Sequence, residues 1–284
     1  MLLLPRELHE LIFSYLTRKE YKAIVPCKDL LLCKSYLRME DFCKLDLLPK
    51  VLLLDQEKEK LLVISCKYNN SRLAKWLLKK GVDPSSENND AIIQASINGH
   101  KEIVEFLLKD KRVDPSANNN AAIALASERG HKEVVEILLK DPSSAEAERR
   151  LALRPNSRVN PSNTNNYAIR KASENSHKEI VEMLLLDPRV DPSDDNNYAI
   201  IWTSYEGHKE IVEMLLRDSR VDPSDMNNAA IYYASENGHK EIVEILLKDP
   251  RINIYKEIFE GLQWALENNN ERVLECLIRE VKNN

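Results

Sequence analysis

Apolar positions along the chain recur in two alternating patterns. At 209–216, Ile211, Val212, Leu215 and Leu216 stand at i, i+1, i+4 and i+5, while Lys209 and Glu213 fall on the other side. That spacing predicts a helix with one buried stripe and one solvated face. Upstream, Ala199, Ile200 and Ser204 predict a second helix whose small residues permit close approach of a neighbour. Gly207 lies between the two, where a left-handed residue ends a helix. The phrase returns five times, and its histidines, His100, His131, His177, His208 and His239, are spaced by 31, 46, 31 and 31 residues. The long interval is one period plus an insertion of 15 residues at 143–157. A fixed period of this length predicts stacked helix-turn-helix units instead of one globular core.

Details of each copy refine this picture. Gly99, Gly130 and Gly238 match Gly207, but Ser176 holds that place in the third copy, so its turn is expected to be strained. An Asn pair precedes each first helix: Asn88-Asn89, Asn119-Asn120, Asn165-Asn166, Asn196-Asn197 and Asn227-Asn228. Asn there is expected to cap the first turn. Wording such as Asp187 to Ser193, with two prolines around Val190-Asp191, predicts an extended excursion and a turn after each second helix. Segments 61–80 and 263–278 align with the phrase as divergent ends. The array is thus expected to span 57–284 in about seven units, with caps near 57–87 and 258–284.

Residues 1–40 carry no copy of the phrase. A helix is expected from Leu4-Pro5, with Leu8, Leu11, Ile12 and Leu16 on one face. Residues 41–56 contain Pro49 and a run of leucines too apolar for a free linker, which predicts a packed connector.

Composition then narrows the function classes. A net charge of −5 without any Lys/Arg block gives no footprint for nucleic acid. Of five cysteines, Cys27, Cys33, Cys43 and Cys66 match no metal or redox spacing, so reduced thiols and a cytoplasmic or nuclear setting are expected. No secretory leader or membrane span is expected. The repeated histidines occupy equivalent turns of separate units and lack a second His at i+4. No enzyme activity, cofactor or metal is therefore expected.

Variation between copies marks a candidate binding face. Positions nine, five and two before the turn point away from the apolar stripe of the first helix. They hold Asp90, Gln94 and Ile97, then Ala121, Leu125 and Glu128, then Tyr167, Lys171 and Glu174. Tyr198, Trp202 and Tyr205 follow, then Ala229, Tyr233 and Glu236, with Trp264 at the middle position of the last unit and Tyr232 alongside. Tyr167, Tyr198, Trp202, Tyr205, Tyr232, Tyr233 and Trp264 are the candidate contact residues, since Trp and Tyr dominate interface hot spots. The other reading is that these rings pack against neighbouring loops.

Two resemblances follow from quoted residues. Leu4-Pro5-x-Glu7-Leu8, Ile12-Phe13-Ser14-Tyr15-Leu16 and Val25-Pro26-Cys27-Lys28 resemble an F-box, although the usual later Trp is missing. The resemblance implies docking on the adaptor subunit of an SCF-type ubiquitin ligase through Leu4, Pro5, Leu8, Ile12 and Leu16. The alternative is a plain helical cap over the end of the array. Ala234-Ser235-Glu236-Asn237-Gly238-His239, with Val243 and Leu246-Leu247, resembles the ankyrin repeat. The unit is 31 residues where that family usually has 33, and the T-P-L-H opening is replaced, as by Tyr198-Ala199-Ile200-Ile201. The wording is similar to repeats of giant DNA viruses of amoebae, which often follow an F-box-like start.

The expected architecture is an all-α ankyrin-repeat solenoid behind a small F-box-like module. In the expected function, a monomeric substrate receptor links a captured target protein to an SCF-type ligase. A scaffold or virion-type structural protein is the rival.

Overall fold

A computed structural model describes residues 55–140 and 159–252, together with positions 274 and 278. Leu4, Pro5, Leu8, Ile12, Leu16, the insertion at 143–157, Trp264 and all cysteines except Cys66 lie outside the described residues. Among the described residues there are twelve helices and no strand, an all-α repeat solenoid.

The chain divides into two compact units, Met1–Pro115 and Ser116–Asn284. The first holds α1 (Asp55–Lys67), α2 (Ser71–Lys79), α3 (Ser86–Ile97) and α4 (Lys101–Leu107). The second holds α5 (Ala117–Glu128), α6 (Lys132–Lys140), α7 (Asn163–Glu174), α8 (Lys178–Leu185), α9 (Asp194–Glu206), α10 (Lys209–Leu216), α11 (Asp225–Glu236) and α12 (Lys240–Leu247). Within each unit the helices form two rows. In the first, α1 packs on α3 and α2 on α4; in the second, the rows are α5, α7, α9, α11 and α6, α8, α10, α12.

The core is the predicted stripe. Ala199, Ile200, Ile211, Val212 and Leu215 are buried, as are their counterparts in the other copies. Each buried Ile or Leu contributes about 1.5–3 kcal/mol. Ser96, Ser127, Ser173 and Ser204 are buried with hydroxyls that have no hydrogen-bond partner, so the position is set by size. In α1, burial pushes the Cys66 thiol up to about 12, and it stays protonated.

The Asn pair does not cap the first helix. Instead, three successive residues turn left-handed: Asp195, Asn196 and Asn197 have φ of 57, 56 and 56°. Equivalent triplets open α3, α5, α7 and α11. Each left-handed turn closes on itself, because the N–H of its last Asn donates to a Ser carbonyl four residues earlier at 2.8–3.0 Å. Asn tolerates this backbone better than other residues with a Cβ.

The second Asn of each pair is buried, and Asn89, Asn120, Asn166 and Asn197 each clamp adjacent repeats. Asn197 Oδ1 accepts from the Asp222 N–H at 2.8 Å, while its Nδ2 donates to Asp225 at 2.9 Å. Asn166 does the same with Asp191 and Asp194. In the first unit, Asn89 accepts from the Asp114 N–H at 2.7 Å. An Asp could accept but could not donate, and a Gly could do neither.

The long loops carry a second device. Arg220 grips Asp218 two residues back with two nitrogens, at 2.9 and 2.6 Å, and donates a third bond to the Val190 carbonyl at 2.6 Å. Arg189 and Arg251 repeat this with Asp187 and Val159, and with Asp249 and Val221. The Arg hydrogen bonds hold the Asp218 and Asp249 carboxyls below the usual range. A depressed folded-state pKa means this contribution is present at neutral pH and lost as pH falls through the depressed value.

His100, His177, His208 and His239 each lean on the repeat before. The Nε2–H of His239 donates to the Tyr205 carbonyl at 2.8 Å, and His208 and His177 reach Glu174 and Glu128 in the same way. The acceptor is a carbonyl, so Nε2 carries the proton. A Cβ built on Gly207 would stand 2.5 Å from the His239 ring, and one on Gly130 equally close to His177. The turn glycine therefore provides room for the next imidazole as well as a left-handed φ of 84°.

Ser176 adopts φ 63° at the same place, as its turn position requires. Ser176→Gly is expected to raise the urea midpoint, corresponding to about 1 kcal/mol, through relief of left-handed strain. An unchanged or lower midpoint would show that the turn accommodates serine without cost.

Candidate functional site

The predicted outward positions of copies two to five lie on the α5, α7, α9, α11 row of the second unit, all partly accessible except Ala229, which is buried. Asp90, Gln94 and Ile97 lie on α3 of the first unit. At the polar end of the second-unit row, the Tyr167 hydroxyl donates to Glu128 at 2.8 Å. Burial, reinforced by Glu128, raises the Tyr167 pKa. Next, the Tyr198 hydroxyl donates to Glu174 at 3.0 Å and accepts from Lys171 Nζ at 3.3 Å, while Lys171 also reaches Glu174 at 2.6 Å. Burial disfavours the charge on Lys171, but its bonds to Glu174 and Tyr198 prevail and its pKa is raised. The Arg170 guanidinium lies 4.7 Å from the Tyr198 ring centre and pairs with Asp195.

Beyond Tyr198 the surface turns aromatic. Trp202 lies 5.5 Å from Tyr198, 5.3 Å from Tyr205 and 6.1 Å from Tyr233, ring centre to ring centre. Tyr233 meets Tyr205 edge-on at 5.8 Å and Tyr232 at 5.3 Å. Such contacts contribute roughly 0.5–1.5 kcal/mol each beyond area burial. Trp202, Tyr198, Tyr205 and Tyr233 remain half-buried, and Tyr232 is 42% exposed. The rings thus pack on one another and still present a continuous outer surface.

Of the sequence candidates, Tyr198, Trp202, Tyr205, Tyr232 and Tyr233 come together. Tyr167 sits apart with Glu128, and Trp264 lies outside the described residues. The sequence reading passed over Arg170, Ile201 and Met226, which border the cluster, and named Ala229 as an outward position without making it a contact candidate. Only a register-by-register comparison of neighbouring repeats brings them out.

The helix pairs, the 31-residue period and the left-handed turns specify a repeat type that sequence families can test. A family model of three ankyrin repeats in tandem matches residues 31–119, 62–150 and 167–258. The chain belongs to the ankyrin-repeat family. Ankyrin repeats are protein–protein interaction modules, so the aromatic surface lies on a binding scaffold. No match is found among curated proteins. Among the described residues of this ankyrin array, no three metal-ligating side chains converge. No helix among them is long and apolar enough to cross a membrane.

This array departs from the ankyrin pattern at the helix start. Its left-handed Asn turn stands directly before the stretch that replaces the family's T-P-L-H opening, and Asn side chains carry hydrogen bonds between repeats.

Proposed function

We propose that the chain is an interaction adaptor in which the ankyrin array captures a target protein and residues 1–40 dock on the adaptor subunit of an SCF-type ubiquitin ligase. The observation that carries target capture is the connected ring cluster from Tyr198 to Tyr232, with its partly exposed outer surface. Aromatic side chains supply large contact area at low entropic cost, which suits a hot spot. The ligase half rests on the F-box resemblance of Leu4, Pro5, Leu8, Ile12 and Leu16.

The scaffold reading has one observation in its favour. The first ankyrin match begins at residue 31, inside the 1–40 stretch read as the F-box-like module. That favours N-terminal helices that serve as a cap on the array.

Affinity capture with the purified SCF adaptor subunit separates the two readings. The full chain is expected to retain the adaptor, and Leu8→Glu with Ile12→Glu to lose it. No retention by the wild type, where a known F-box protein retains the adaptor, leaves the scaffold reading in place. For target capture, Tyr232→Ala is the cleanest probe because the ring is exposed and packs edge-on against Tyr233.

A further inference from the structure

Two adjacent junctions of the second unit differ in one informative way. Between α7 and α9, Tyr198 lies under Arg170, which pairs with Asp195, and bonds to Lys171 and Glu174. One repeat on, each of these positions has lost its charge. Ile201 replaces Arg170, Met226 replaces Asp195, Trp202 replaces Lys171 and Tyr205 replaces Glu174. Ala229 stands where Tyr198 stood, so the ring itself is missing.

The result is a slot of about 380 Å³ between α9 and α11, lined by Tyr198, Ile201, Trp202, Met226, Ala229, Tyr232 and Tyr233 and by the polar Asp195, Asn196 and Asn227. Met226 is 59% exposed at its mouth. The same scaffold positions hold a tyrosine one repeat earlier, so the geometry suits a planar side chain. The lining suits an apolar or aromatic one.

Charge narrows the occupant further. The helices that frame the slot, α9 and α11, carry Asp194, Asp195, Glu206, Asp225 and Glu236 and no Lys or Arg. Asp195 is already paired with Arg170, so Asp194, Asp225, Glu206 and Glu236 supply the uncompensated negative charge, at both ends of the two helices and within reach of residues that flank an anchor in an extended segment.

We propose that the slot receives an aromatic side chain from an extended, lysine- or arginine-bearing segment of a partner protein. The inference rests on the reading of this face as the target-capturing surface. The partner ring takes the place that Tyr198 fills in the preceding repeat, and the flanking cations meet the carboxylates. Complementary charge orients the segment and speeds its arrival.

Three labelled heptapeptides test this against the full chain by fluorescence anisotropy: Lys-Lys-Ala-Tyr-Ala-Lys-Lys, its alanine-centred version and its glutamate-flanked version. The first is expected to bind saturably, more weakly in high salt, and about tenfold more tightly than either control. Ala229→Tyr restores the chain's own ring and is expected to weaken that binding about tenfold with the thermal midpoint held. Should that variant fail to fold, Met226→Lys, at an exposed position, is expected to weaken it too, by closing the mouth with a like charge. Equal binding of the alanine-centred or glutamate-flanked probe overturns the proposal, as does absence of binding by all three. Self-association of the chain that Ala229→Tyr abolishes assigns the slot to a second copy and also overturns it. Tyrosine-probe binding that survives Ala229→Tyr and Met226→Lys but is lost in Trp202→Ala rejects the slot while it leaves the aromatic face as the target surface.

Discussion

Asn197→Ala is expected to destabilise the array by about 3 kcal/mol, read as a lowered urea midpoint or as a transition that splits at this junction. Two losses combine. Alanine pays roughly 1–2 kcal/mol to hold a left-handed backbone, where asparagine pays less. The Asp222 N–H and the Asp225 carboxylate then both lose their partner amide, beneath a residue only 5% exposed. A charge-assisted bond and an orphaned donor account for the rest. Asn196→Ala supplies the control, since Asn196 shares the left-handed φ of 56° but is exposed. Its expected loss is about 1 kcal/mol. Equal losses for the two variants would mean that the buried amide adds nothing to the coupling of repeats.

Gly207→Ala is expected to cost a similar amount, about 3 kcal/mol, for a different reason. Its φ of 84° strains any side chain, and the new methyl would sit 2.5 Å from the His239 imidazole. The ring would have to shift while its Nε2–H holds the Tyr205 carbonyl, an adjustment the third copy already accommodates, with Ser176 at this place and His208 bonded to the Glu174 carbonyl at 3.0 Å. His239→Ala alone is expected to cost about 1 kcal/mol from that lost bond. The double variant should then fall short of the summed losses by about 1–2 kcal/mol, because the clash is gone while the strained φ remains. Additive losses would show that the turn and the imidazole do not press on one another.

The contrast between these two sites shows what could be read from the sequence. Helix pairs, their buried stripe and the turn glycine were legible because each repeats at a spacing short enough to report its own face. Ile211, Val212 and Leu215 need no knowledge of a neighbour to be recognised as core. The outward face was legible too, since 100° per residue places Tyr198, Trp202 and Tyr205 together without tertiary information. The Asn clamp was not. Two asparagines before a helix look like caps, and the groups that Asn197 serves lie 25 and 28 residues downstream. The Arg grip was hidden for the same reason, because the Val190 carbonyl it seeks is 30 residues upstream. Local patterns show which residues face inward. They do not show which backbone groups in the next repeat need a partner.

Ala229 posed the opposite difficulty. An alanine on an outward face draws no notice, and it gains meaning only beside Tyr167 and Tyr198 at the same register.

The clamp also records how the array can lengthen. Asn89, Asn166 and Asn197 each reach a loop amide 25 residues on, whereas Asn120 reaches Asn160, 40 residues on, across the insertion. The bond is made at 2.6 Å regardless of the extra chain, since loop closure grows only slowly more costly with length. Asn166 and Asn197, like His208 and His239, bond to an adjacent repeat, so one whole period could be duplicated or deleted and leave no donor stranded. Copy number is then free to drift under recombination, while a cut of any other length would misalign the amides at once.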